Sequence, residues 1–191
     1  MMNFFIKTTA CVIAAATMGL ATTAYATAAK TNTLLYISPN DYNYSIHLTH
    51  PYYDYWFEQG PLIEPIALQA LKAKDNDLSI CKANETANTI IRIKPNLFYN
   101  PQLRVYHSKL VATVYSGSGN LLGTYVGEAQ QLGFTSVDNG ITYSLNKVYG
   151  LAMQDLMTKL KLDSALPSNS VETKLPCGLI GAQIEQKVNF Y

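Results

Sequence analysis

Charge is scarce in this chain. Only 14% of its 191 residues are Asp, Glu, Lys or Arg, and 14 basic residues stand against 13 acidic ones. No run of like charge occurs. A nucleic-acid partner calls for a basic stripe that displaces counterions from phosphates, so this composition argues against that class. It argues equally against a strongly anionic membrane surface as the main target. Cysteine is sparse, at three residues, and tryptophan occurs once. Catalytic motifs are missing as well. No GxSxG turn frames a serine. Ser116-Gly117-Ser118-Gly119 lacks the lysine and following helix of a phosphate loop. Glu128 has no neighbouring carboxylate for a glycosidase pair.

The beginning of the chain carries the clearest pattern. Lys7 gives a short cationic start, a small apolar run extends from Thr8 to Thr23, and Ala24-Tyr25-Ala26 offers a small-x-small cleavage site. This is the layout of a secretory signal peptide. The apolar run has 16 residues, mostly alanine and threonine. A spanning helix needs roughly 20 apolar residues, so a membrane anchor is the weaker reading. Cys11 follows Lys7 by four positions with no apolar stretch before it, unlike a lipid-attachment cysteine. Cleavage after Ala26 leaves 191 − 26 = 165 residues, one domain's worth, with 13 bases, 13 acids and no transmembrane segment. The expected location is the periplasm, with secretion as the alternative.

Cys81 and Cys177 remain in the mature chain. In an oxidising compartment an isolated pair most simply forms a bridge, against the alternative of two buried thiols. The spacing of 96 positions excludes a catalytic CxxC. A bridge closing so long a loop stabilises by roughly 4–5 kcal/mol in the chain-entropy model.

Periodicity supplies the fold class. Thr33 to Ile37 reads as a first strand, ended by Ser38-Pro39-Asn40-Asp41. Asp41 to Phe57 is crowded with aromatics and has no clean period, which suggests an ordered loop or a short irregular strand. Pro61 to Lys74 predicts a helix with an imperfect apolar face of Leu62, Ile66, Gln69, Ala70 and Ala73. Leu78 to Cys81 is a short extended stretch. Thr89 to Tyr99 alternates, with Ile91, Ile93, Leu97 and Tyr99 on one parity. Leu103 to Tyr115 alternates likewise, with Tyr106, Leu110, Ala112 and Val114 facing one way. Ser116 to Asn120 supplies turn residues, and Leu121 to Ala129 returns as the partner strand. Asp138 caps a final helix, Asn139 to Lys161, striped by Ile141, Leu145, Val148, Ala152, Leu156 and Leu160. The prediction is an α+β two-layer sandwich: a mainly antiparallel sheet, a long hairpin and two helices on one face. The domain spans 27–165, and 166–191 is a tail tied to it by the bridge, with Val188 to Tyr191 as a candidate edge strand.

The stretch from Ala87-Asn88-Thr89-Ile90-Ile91-Arg92-Ile93 to Gly119-Asn120-Leu121 is followed by Gly127-Glu128-Ala129 and a helix ending Leu156-Met157-Thr158-Lys159-Leu160. In this order it resembles small outer-membrane lipoproteins of the YajG type over roughly Pro61 to Lys161, about one domain's length. The resemblance implies a helix, a long hairpin and a closing helix, and an accessory or interaction role in the bacterial envelope. It brings no catalytic motif. The chain departs from that family in lacking the lipid-attachment cysteine and in carrying the cysteine pair.

Two clusters offer chemistry. His47, His50 and Asp54 combine imidazoles and a carboxylate, a donor set that suits zinc or copper. Loop histidines bonded to tyrosines or solvent are the competing reading. Tyr42, Tyr44, Tyr52 and Tyr53 are the candidate binding residues, since aromatics give large contact area at low entropic cost. Trp56 and Phe57 are assigned to the core. His107, on the parity of Lys109, belongs to a solvated strand face. The leading expectation is a non-enzymatic envelope protein that needs no cofactor and binds a protein partner or envelope component. A small hydrolase or metal-dependent enzyme using His47, His50 and Asp54 is the alternative. A secreted product acting on a host or competitor is a third.

Overall fold

Alternation of apolar and polar side chains along three long strands builds the sheet, and a striped helix covers it. In the computed structural model the described residues are 33–49, 54–82, 84–133, 138–160 and 174–188. The chain begins with β1 (Thr33–Tyr36), α1 (Pro39–Tyr42), β2 (Ser45–Thr49) and β3 (Asp54–Glu58). Then come α2 (Gln59–Lys72), β4 (Ser79–Ile80), β5 (Thr89–Asn100), β6 (Val105–Ser116) and β7 (Leu121–Leu132). Two helices follow, α3 (Asp138–Lys159) and α4 (Cys177–Val188). The fold is α+β. The main sheet has the order β4-β1-β5-β6-β7, and β2 with β3 forms a separate ribbon. β5, β6 and β7 pair antiparallel, whereas β1 runs parallel to both β4 and β5.

The register explains the core. Ile91 lies opposite Val114, Ile93 opposite Ala112, and Tyr99 opposite Tyr106, so the apolar parity of both strands shares one face. Ile141, Leu145, Val148, Ala152, Leu156 and Leu160 of the α3 segment pack on that face at 3% exposure or less. α2 buries Ile63, Ala67 and Leu71 fully, a stripe at i, i+4 and i+8. This corrects the face expected from Leu62, Ile66 and Ala70, which only flank the contact. Pro95 lies beyond Arg92, where β1 has ended, and edge strands accept proline.

The outer edge of β7 is closed by side chains. The Glu128 amide donates to Asp155 Oδ2 at 2.9 Å, and Lys159 Nζ donates to the Val126 carbonyl at 3.0 Å. Lys159 also pairs with Asp155 at 2.6 Å, so α3 presents the donor and acceptor that a further strand would bring. Gly127 makes this approach possible, because a Cβ there would run into the Ala152 carbonyl and Leu156. The β6–β7 turn closes through Gly119 at φ 87°, a conformation glycine adopts without strain.

Within the segment expected as a tail, Cys177–Val188 forms the helix α4. α4 packs on the opposite face of the sheet, where Cys177 and Ile180 join Leu34, Ala87 and Ile90 in a second small core. The Cys81–Cys177 disulfide fastens it, with Cα atoms 6.1 Å apart. Backbone bonds add to it: Cys177 N–H donates to the Glu85 carbonyl and Leu175 N–H to that of Gly117, both at 2.8 Å. The candidate edge strand at Val188 to Tyr191 lies largely outside the described residues, and Val188 itself ends α4. Cys11 and the leader also lie outside them. Among the described residues no helix is long and apolar enough to cross a membrane.

Candidate functional site

The aromatic segment forms an amphipathic arm. Ser38 caps α1, accepting from the Asp41 amide at 3.1 Å, and Asp41 pairs with Arg92 of β5 at 3.3 Å. β2 and β3 then rise as an antiparallel ribbon, with His47 opposite Trp56 and Leu48 opposite Tyr55. Ile46 and Leu48 are buried, and Tyr55 and Phe57 pack beside them against the main core. The other face holds His47 and Trp56, whose rings stack with centroids 4.5 Å apart and planes at 20°. Trp56 is 61% exposed, which corrects its assignment to the core, while Phe57 is half-buried. An aromatic on either side of the ribbon hid the period of two.

Among the candidate binding residues, Tyr44 precedes β2 and is 62% exposed. Tyr42 is half-buried with its ring over Gly60, where it braces the start of α2. Tyr52 and Tyr53 lie outside the described residues, as does His50. Asp54 is placed by its backbone, opposite Thr49. Among the described residues no group of three His, Cys, Asp or Glu comes together to hold a metal.

A second surface lies on the sheet face opposite α3, beyond the part that α4 covers. Register sets Asn96, Lys109 and Glu128 in one row and Phe98, His107 and Gln130 in the next. These six side chains line a groove of about 520 Å³. Lys109 Nζ meets Glu128 Oε1 at 2.9 Å. Phe98 is 60% exposed, its ring tilted against His107 with centroids 5.9 Å apart. His107 therefore lies on the face expected for it. The alternation marked which residues face outward but not that adjacent strands would gather an aromatic, two amides and an ion pair.

The strongest proton-affinity shifts belong to the core. Burial pushes the phenols of Tyr106 and Tyr149 well up from their ordinary value. Tyr149 donates to Gln59 Oε1 at 2.9 Å in the packing between α2 and α3. The Lys159 ammonium, with the Glu128 amide, holds the Asp155 carboxyl below its usual range. These contacts tie elements together; they do not form a nucleophile with a base.

No family model and no curated protein matches the chain. Among solved structures it is similar to protein XCC0632 from Xanthomonas campestris, of family DUF330, at 8% identity and a TM-score of 0.47. The match covers 82% of this chain and 88% of that one.

Proposed function

We propose that this protein is a non-catalytic accessory domain of the periplasm or the secreted space, which binds a protein partner or envelope component through the aromatic arm. One observation carries the reading: the β2–β3 ribbon plugs one face into the core and turns Trp56 and His47 outward, with Tyr44 at its base. A ribbon anchored in this way presents its rings at little further cost in conformational freedom, and exposed aromatics of this kind anchor binding hot spots. The leader and the Cys81–Cys177 disulfide support an extracytoplasmic setting. The resemblance to YajG-type envelope proteins points the same way.

The test is site-specific photocrosslinking in intact cells. A photoreactive residue at Trp56 or Tyr44 captures a discrete partner, and one at Leu179, exposed on α4, does not. Fractionation finds the leader removed and the protein outside the cytosol. Equal capture from all three positions, or an uncleaved cytosolic protein, rejects the reading.

A further inference from the structure

From the sheet-face groove we infer a second binding site, separate from the arm, for an uncharged oligosaccharide. Its volume of about 520 Å³ falls within the range of about 300–1,000 Å³ usual for ligand sites. Its chemistry narrows the class. Phe98 offers a flat apolar ring to solvent, flanked by His107, which suits the C–H face of a pyranose ring. Asn96, two positions along β5 from Phe98, and Gln130, across His107 on β7, line the same groove, and each amide both donates and accepts, as a sugar hydroxyl does. Lys109 and Glu128 satisfy each other at 2.9 Å, so the pair adds no net charge to the floor. An anionic ligand at Lys109 would meet the Glu128 carboxylate beside it, and a cationic one at Glu128 would meet the Lys109 ammonium, so the pair favours neither sign. A hydroxyl can bond to either while the pair stays intact.

Other occupants fit less well. An added peptide strand pairs with a sheet edge, and the middle of the β7 edge is already taken by Asp155 and Lys159. The groove lies on a face, where the strands have no backbone groups to offer. An apolar ligand would meet amides and an ion pair along most of the lining.

Titration of the isotope-labelled protein with chitotetraose, cellotetraose and maltotetraose tests this by NMR. At least one of them is expected to shift the amides of 96–98, 107–109 and 128–130 and leave those of 44–48 and 55–57 unchanged. Phe98→Ala is expected to weaken that binding at least about tenfold, as loss of an aromatic anchor does, and Gln130→Ala by a smaller factor. Both side chains are solvent-facing, and an unchanged melting temperature establishes that the variants are folded. No shift with any of the three sugars at about 10 mM, where even millimolar binding would register, overturns the inference. So does a response confined to the arm, or full affinity in folded Phe98→Ala. The arm's capture of a partner stands or falls independently of these results.

Discussion

Replacing Cys81 and Cys177 together by alanine removes the covalent tie between α4 and the sheet. The bond joins residues 96 positions apart, and the loop it closes contains β5, β6, β7 and α3. In the chain-entropy model such a closure stabilises by about 4.7 kcal/mol at 25 °C. Among the described residues, α4 is otherwise held by the small second core and by the backbone bonds at its start. Ile180 is its one large apolar side chain that is fully buried among those described, worth about 1.5–3 kcal/mol, and Cys177 itself fills the rest of that contact. Loss of the full closure term lowers the melting temperature by about 10–20 °C, at about 2–4 °C per kcal/mol for a domain of this size. It also frees α4 to open ahead of the main core, so its amides at 178–183 lose about three orders of magnitude of exchange protection, at about 1.4 kcal/mol per decade. Circular-dichroism melts and hydrogen exchange on oxidised wild type, reduced wild type and the double variant make the measurement. The reduced wild type separates loss of the bond from loss of the buried sulfur. Melting within about 2 °C of the oxidised protein, with α4 amides still protected, would refute the reasoning, because the bond would then constrain nothing that the second core does not hold alone.

Two glycine substitutions should move stability in opposite directions in urea unfolding. Gly127→Ala drives a methyl into the Ala152 carbonyl and Leu156 and is expected to destabilise by about 1–3 kcal/mol. Gly150→Ala, inside α3 with nothing within 4 Å of the new methyl, is expected to stabilise by about 0.5–1 kcal/mol. Tyr149→Phe leaves Gln59 Oε1 without its donor and costs about 1–3 kcal/mol at neutral pH. The same phenol sets a pH dependence. Its folded pKa is raised above the ordinary 10.0, so the unfolded chain loses the proton first. The stability linked to it is whole below about pH 10 and falls as pH rises above that value, and Tyr106 acts in the same direction. Urea midpoints at about pH 8 and about pH 11 should converge in Tyr149→Phe relative to wild type, and an equal alkaline loss in both would remove the linkage.

The elements legible in the sequence are those whose pattern is local. The parity of Ile91, Ile93 and Leu97 and the helical stripe from Ile141 to Leu160 both name the face that is buried. The β6–β7 hairpin follows from the turn residues Ser116 to Asn120 between two extended runs. The arm was missed because Trp56 shares the outer face with the polar Ser45, His47 and Glu58, so that Tyr55, Trp56 and Phe57 form an unbroken aromatic run in which the period of two does not show. α4 is short and contains two glycines, Gly178 and Gly181. Without the sheet to cover, its helical pattern does not stand out from a tail.

What the sequence by itself determined is therefore the set of alternating strands, the long closing helix, the α+β class and Cys81 and Cys177 as a pair able to bridge. Only the tertiary structure decided that β1 runs parallel to β5, that α4 crosses to the opposite face, that Trp56 turns outward, and that Phe98, Asn96 and Gln130 share one groove. The physical reason is range. A side chain's period is set by its neighbours along the chain, whereas strand order, register and the choice of face depend on which distant segments bury surface together.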